Sequence, residues 1–292
     1  MKKLIEKADV LIEALPYIQR FRGETVIVKF GGSSLDHPAV VEHILQDVAF
    51  MACVGMRPVV VHGGGKAINA CLKARGIQPK FVAGLRVTDE KTIGVVEHIL
   101  NHEVNPDLVD RLNALGCKAR AIHGEDIITA VKLEGRDEAT GAALDWGFVG
   151  DIRAVDTEPV RAFLDAGITP LVTPLAFDAG KKTLYNINAD LAAAGLATQL
   201  KARKLVFLSD VPGLLADPDD RKSLMSTLRL EEVQDLIRRG IIGGGMLPKI
   251  GGALKALEAG VRKTHIIDAA FPHSLLLELF TDKGVGTEII HD

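Results

Sequence analysis

Six short runs of β-branched and other apolar residues recur along the chain: TVIVKF at 25–30, RPVVVH at 57–62, CKARAI at 117–122, ITPLVTP at 168–174, KLVFLSD at 204–210 and THIID at 264–268. Between them, periodic stretches predict helices near residues 39–54, 66–75, 89–100, 104–115, 189–202, 231–239 and 249–260. A strand that is apolar throughout must be covered on both faces, and the intervening helices supply the crossovers that parallel strands need. The expected fold class is therefore α/β, a three-layer αβα sandwich around a mainly parallel central sheet, with an N-terminal helix in front. Short alternating stretches near 127–133 and 146–153 predict an inserted hairpin. A chain of 292 residues has room for two lobes. The clearest internal break is DAGKK, within 178–187; with the opening helix set apart as 1–22, it divides the rest of the chain into 23–180 and 181–292.

The opening segment, MKKLIEKADVLIEALPYIQRF, places Leu4, Ile5, Ala8, Leu11, Ile12 and Leu15 on one helical face, with Pro16 expected to interrupt the helix. That face either lies on its own domain or carries a partner helix. Asp9 and Glu13 break what would be the apolar core of a signal peptide, and no apolar run approaches the ~18 residues of a membrane span. A net charge of -3 offers no basic excess for a nucleic-acid backbone, and 4% aromatic residues leave few stacking platforms for bases. Cys53, Cys71 and Cys117 form neither a zinc-like pair nor a disulfide framework, which suits a reducing cytosol. The expectation is a cytoplasmic protein without nucleic-acid or membrane partners.

Glycine numbers 29, and three tight clusters follow the predicted strands or precede a helix: KFGGSS after Lys29 and Phe30, HGGGKA after His62, and GGGMLPK, whose Gly243–Gly245 run precedes Lys249. In a parallel sheet, ligands sit beyond the carboxyl ends of strands beside helix N-termini, where glycine lets backbone N–H groups approach an anion. Tight strand–helix packing alone can demand one such turn. Three, two of them with lysines close by, point to a polyanion such as a phosphate chain. GxxxxGK[ST], a kinase HRD or DFG set, and a GxGxxG fingerprint are all missing, so another constellation must hold the phosphate.

KFGG, HGGG, GLRVTD, NINAD, LSDVPG, GGGMLPK and FTDKGVGT, in this order over nearly the whole chain, resemble the amino-acid kinase superfamily, and within it the acetylglutamate kinase branch. The resemblance implies ATP-dependent phosphorylation of the side-chain carboxylate of N-acetyl-L-glutamate in arginine biosynthesis. Substrate would lie in the N-lobe (23–180) and nucleotide in the C-lobe (181–292), with Mg2+ carried by the ATP phosphates and no protein metal site. A carboxylate with a pKa near 4.3 is already an anionic nucleophile at neutral pH, so the chemistry needs charge stabilisation and alignment rather than a general base.

By this resemblance Lys29 stabilises the transferring phosphoryl group, Lys249 balances the leaving nucleotide phosphates, and Asp190 holds both lysines. On its residue type alone, an aspartate such as Asp190 at a helix start is more often a cap or a dipole partner. Gly31 and Gly32 belong with ATP, together with Asp210 at a strand end, which otherwise is a turn aspartate. Gly64 and Gly65 approach the substrate. Arg86 of GLRVTD is implied as the substrate-carboxylate clamp, its plain alternative being an ion pair with Asp89 or Glu90. Asn186 and Asn188, two apart on an extended segment, are implied to bind the remaining polar groups.

The opening helix further resembles the arginine-inhibited branch, which is a homohexamer built as a trimer of dimers through that helix. Tyr17, His265, Glu278 and Gly284 are the implied L-arginine site, although a lone strand histidine is more often a satisfied core residue. Ser34 and Lys66 depart from the usual loop sequences and bear on substrate choice. They keep open a related carboxylate such as aspartate or an aminoadipate derivative, and the fold alone keeps open a non-catalytic arginine sensor.

Overall fold

The computed structural model describes residues 2–136, 140–217, 219–243, 246–281 and 284–291. Gly244 and Gly245 of the third glycine cluster, Asp282 and Lys283 of FTDKGVGT, and the side chain of Leu4 lie outside that description. The strands are β1 Thr25–Phe30, β2 Arg57–His62, β3 Lys80–Val82, β4 Leu85–Val87, β5 Ala119–Ile122, β6 Ile128–Lys132, β7 Gly135–Arg136, β8 Ala143–Leu144, β9 Gly150–Val155, β10 Thr169–Val172, β11 Leu175–Asp178, β12 Thr183–Asn186, β13 Lys204–Ser209, β14 Thr227–Arg229, β15 Lys263–Asp268 and β16 Thr287–Ile290. The α-helices are α1 Lys2–Phe21, α2 Pro38–Cys53, α3 Gly65–Ala74, α4 Glu90–His98, α5 Asn105–Ala114, α6 Glu158–Asp165, α7 Ala189–Leu200, α8 Leu230–Arg238, α9 Leu247–Glu258 and α10 Ser274–Phe280.

All six expected strands join one sheet in the order β14-β16-β15-β13-β1-β2-β10-β5, parallel except where β16 runs against β15. Both faces are covered, as continuous apolar strands require. Val26, Val28 and Phe30 of β1 pack with α2, α5 and α10, while Ile27 packs with α7, α8 and α9. The two-residue period of a strand puts Lys29 on the Ile27 side, facing α7 and α9. The inserted hairpin is β6 with β9, joined by β11 and β12 into a second sheet. DAGKK forms the tip of the antiparallel β11–β12 hairpin.

The opening helix corrects one expectation: it runs through Pro16 to Phe21. Proline removes one backbone donor, and the helix survives because its last turn is held by packing. Tyr17, Ile18 and Phe21 join the core beneath α10, whereas Ile5, Leu11, Ile12 and Leu15, before the proline, stay exposed. Between α4 and α5 the chain winds as a wider π turn over Ile99–Val104. Among the described residues no helix is long and apolar enough to cross a membrane.

Candidate active site

β1, α7 and α9 converge on one carboxylate. Lys29 Nζ lies 2.7 Å and Lys249 Nζ 3.1 Å from the same oxygen, Oδ1 of Asp190. The approach depends on small residues: α7 presents Ala192, Ala193 and Ala194, and a Cβ on Gly252 of α9 would stand 3.3 Å from Ala194 and 3.4 Å from the Asp190 carbonyl. All three charged groups are nearly buried. Burial alone would raise the Asp190 carboxyl, but attraction and hydrogen bonds from Lys29 and Lys249 hold it below the ordinary carboxylate range. Burial, then repulsion from Lys29, lowers Lys249; Asp190 and the exposed Asp210 oppose that fall. Asp190 is not the helix cap. Asn188 takes that role, its Oδ1 accepting from the N–H groups of Asp190 at 2.8 Å and Leu191 at 3.2 Å.

The first two glycine turns touch. A Cβ on Gly31 would lie 2.8 Å from the Gly63 nitrogen, and Gly63 N–H donates to the Phe30 carbonyl at 2.9 Å. Gly32 adopts φ +61, a left-handed conformation that glycine takes without strain. Gly64 caps α3, whose first N–H groups have no intrahelical acceptor and so remain available to an anion.

Beside this turn lies a cavity of about 180 Å³ lined by Gly64, Gly65, Arg86, Asn186 and Asn188. Arg86 makes no ion pair with Asp89, which instead accepts from the Thr92 N–H, and the structure gives Arg86 no bond to Glu90. It donates from Nη2 to the Gly65 carbonyl at 3.1 Å, and its guanidinium lies 4.8 Å from the Phe81 ring centroid. Its other terminal nitrogen, Nη1, is buried with no hydrogen-bond partner among the described residues. A buried unpaired guanidinium N–H is costly, and a carboxylate in the cavity would satisfy it. Asn186 Nδ2 donates to Thr88 Oγ1 at 3.3 Å. Phe81, the cross-strand partner of Arg86 in the β3–β4 hairpin, escaped sequence reasoning because two three-residue strands are too short to carry a pattern. Neither Ser34 nor Lys66 lines this cavity: Ser34 is buried below the first glycine turn, and Lys66 pairs with Asp36.

A second cavity, also about 180 Å³, lies between α1 and the C-terminal strands. Tyr17, Glu278 and Gly284 line it, with Arg20, Lys204, Lys263 and Glu288, which sequence reasoning missed. His265 stands behind the wall: Nδ1 is 2.7 Å from Glu278 Oε1, and Nε2 is 3.1 Å from Lys204 Nζ. Burial lowers both partners of Glu278's network, with Lys204 pushed down to about 8. Glu278 Oε2 accepts from Val285 and Gly286 N–H groups, and these bonds with His265 overcome burial to hold the carboxyl low.

Residues 24–268 match the family model described as the amino acid kinase family. An acetylglutamate kinase of Akkermansia muciniphila is 44% identical over 290 residues, covering 99% of this chain and 97% of that protein. One from Symbiobacterium thermophilum is 45% identical over 291 residues, covering 99% of each. The structure of Neisseria gonorrhoeae N-acetylglutamate synthase with coenzyme A and N-acetyl-glutamate superimposes with a TM-score of 0.82 at 30% identity, over 98% of this chain. The present chain spans only 63% of that synthase's length. The same synthase with coenzyme A and L-arginine gives a TM-score of 0.81 at 30% identity, over 98% of this chain and 65% of that one. The matched model and the full-length relatives establish that the chain belongs to the amino acid kinase family, among the acetylglutamate kinases.

Proposed function

We propose that this enzyme transfers the γ-phosphoryl group of MgATP to the side-chain carboxylate of N-acetyl-L-glutamate. A carboxylate oxygen attacks the γ-phosphorus, the new O–P bond forms as the bond to the β,γ-bridging oxygen breaks, and the electron pair leaves with ADP. The products are N-acetyl-L-glutamyl 5-phosphate and ADP. Lys29 stabilises the moving phosphoryl group, Lys249 the charge gathering on the leaving phosphates, and Asp190 fixes both without acting as a base. Gly31, Gly32 and Asp210 stand on the nucleotide side. Arg86 clamps the substrate's α-carboxylate through Nη1, with Asn186 and Asn188 contacting its remaining polar groups. Mg2+ enters as part of the nucleotide substrate, held by its phosphates. The N-lobe (23–180) binds the amino-acid derivative and the C-lobe (181–292) the nucleotide.

The carrying observation is the pairing of two lysines on one Asp190 oxygen beside a cavity lined by Arg86, whose Nη1 is buried without a hydrogen-bond partner among the described residues. The second cavity supports feedback inhibition by L-arginine, with Glu278 toward the guanidinium. Here His265 acts on the ligand only through Glu278 and Lys204. The exposed apolar face of α1 supports a hexamer, a trimer of dimers joined through this helix, in a cytoplasmic setting. Trapping the acyl phosphate with hydroxylamine tests the reading. Signal with N-acetyl-L-glutamate but not aspartate, suppressed by arginine, is expected. Signal indifferent to arginine removes the effector role; arginine binding without any acyl phosphate replaces the kinase with a sensor.

A further inference from the structure

A glycine peptide is among the easiest in a protein to turn over, yet Gly64, at the start of α3, meets an anion only if its N–H is aimed out of the turn. Peptide planarity points the Gly63 carbonyl and the Gly64 N–H in opposite directions, so whatever holds the carbonyl aims the amide. That carbonyl lies 3.1 Å from His62 Nδ1. The other two carbonyls of the turn are tied as well, Gly64 by the Ile68 N–H at 2.9 Å and Gly65 by Arg86.

His62 is fully buried at the end of β2, and burial pushes its imidazole down to about 4, so near neutral pH one ring nitrogen donates and the other accepts. Asn105, equally buried at the start of α5, decides which. Its Nδ2 lies 3.1 Å from the Leu171 carbonyl, which can only accept, so the amide nitrogen occupies that side. The same Nδ2 is 2.9 Å from His62 Nε2. Nε2 must then be the acceptor, and the ring proton sits on Nδ1, donating to Gly63. The π turn at Ile99–Val104 immediately precedes Asn105 and sets its rotation about the helix axis.

We propose that His62 and Asn105 are positioning residues, a tautomer lock that turns the Gly63–Gly64 peptide so that the Gly64 N–H faces the transferring phosphoryl group. The lock rests on the kinase reading above. Two substitutions separate hydrogen bonding from volume. In H62N the amide nitrogen stands where Nδ1 stood and can still donate to Gly63; in H62Q it reaches only where Nε2 stood, although H62N leaves the larger void. H62Q should lose about 10²-fold in kcat with KM values within about threefold, as for loss of one oxyanion-stabilising donor, while H62N stays within about tenfold of the wild type. Equal losses, or a larger loss in H62N, overturn the lock and leave His62 a packing residue. Should H62Q fail to fold, N105L serves, being nearly isosteric but without the donor to Nε2: kcat falls about tenfold at constant KM, and an unchanged kcat overturns the proposal. The wild type is assayed first. No acyl phosphate from it refutes the kinase reading and the lock together, whereas an active wild type with the reverse order of variants refutes the lock alone.

Discussion

Replacing Asp190 by asparagine keeps the shape of the side chain and removes its charge. Lys29 and Lys249 sit on a single Asp190 oxygen at 2.7 and 3.1 Å, which puts their ammonium nitrogens within about 6 Å of each other. At an effective dielectric near 20, like charges at about 6 Å repel by about 3 kcal/mol. The wild-type carboxylate cancels that repulsion; the amide cannot. Lys249 is already lowered by burial and by Lys29, and D190N removes the attraction that opposes this. The site therefore sheds a proton from the lysine pair. A loss of about 3 kcal/mol in transition-state stabilisation corresponds to about 10²-fold in rate.

The expected result for D190N is a kcat about 10²-fold lower with KM values within about threefold, since the substrate cavity is untouched. The sign of the pH effect follows from the charge. Both lysines must be protonated, and Lys249 holds its proton less well once Asp190 no longer opposes burial and Lys29. D190N activity should therefore decline as pH rises through neutrality and recover partly as it falls, while the wild-type profile stays flatter. Hydroxylamine trapping on both sides of neutrality reads both quantities. A kcat within about threefold of wild type, or a loss that is uniform at every pH, would refute the reasoning.

R86Q should raise the KM for the amino-acid substrate by about tenfold to about 10²-fold, from loss of a charged hydrogen bond, with R86K failing to rescue because it lacks the planar fork; an unchanged KM in initial-rate assays contradicts the clamp. E278Q should raise the arginine concentration that halves its own uninhibited rate by at least about tenfold, and retained sensitivity would move the effector elsewhere. Lys204, facing Glu278, Glu288, Lys263 and Arg20, is pushed down to about 8 from 10.5, so the unfolded chain binds a proton that the fold does not between those values. Its contribution makes stability rise with pH across that window, and K204M should flatten this slope in urea unfolding between about pH 8 and about pH 10. Deleting residues 2–15, which spares the docked Tyr17, Ile18 and Phe21, should give smaller assemblies by sedimentation and weaker arginine inhibition; full sensitivity in the smaller form would separate α1 from regulation.

The parts legible in the sequence share one physical character: each is written within a short stretch. The central strands are continuous apolar runs, and Lys29 announces itself as a charge at the end of one of them. Asp190, Asn186 and Asn188 occupy one five-residue segment, NINAD. What remained hidden depends on contacts between distant segments. Phe81 is the exception, paired with Arg86 inside one short hairpin whose three-residue strands are too brief to read. Lys204 and Lys263 look like ordinary strand-opening lysines until α1 closes over them, and β14 and β16 are too short to carry a pattern. The helix through Pro16 was misjudged for the same reason, because local chemistry favours a break and only the packing of Tyr17, Ile18 and Phe21 beneath α10 reverses it.

The two cavities are lined by different strands of the fold, and this constrains any coupling between them. β13 begins at Lys204 in the second cavity and leads to Asp210, proposed for the nucleotide side, a span of about 20 Å at roughly 3.3 Å per residue. An arginine molecule at one end cannot touch a phosphate at the other. Six parallel pairings between β13 and β15 and four between β13 and β1 make the strands themselves a stiff connector, so a local distortion would not travel far along them. Inhibition through this cavity therefore requires two arrangements of whole lobes or subunits that arginine distinguishes, since a ligand bound equally to both shifts nothing. The element that links the cavity to an unpartnered surface is α1: it forms one wall through Tyr17 and Phe21, and before Pro16 its apolar residues Ile5, Leu11, Ile12 and Leu15 are exposed.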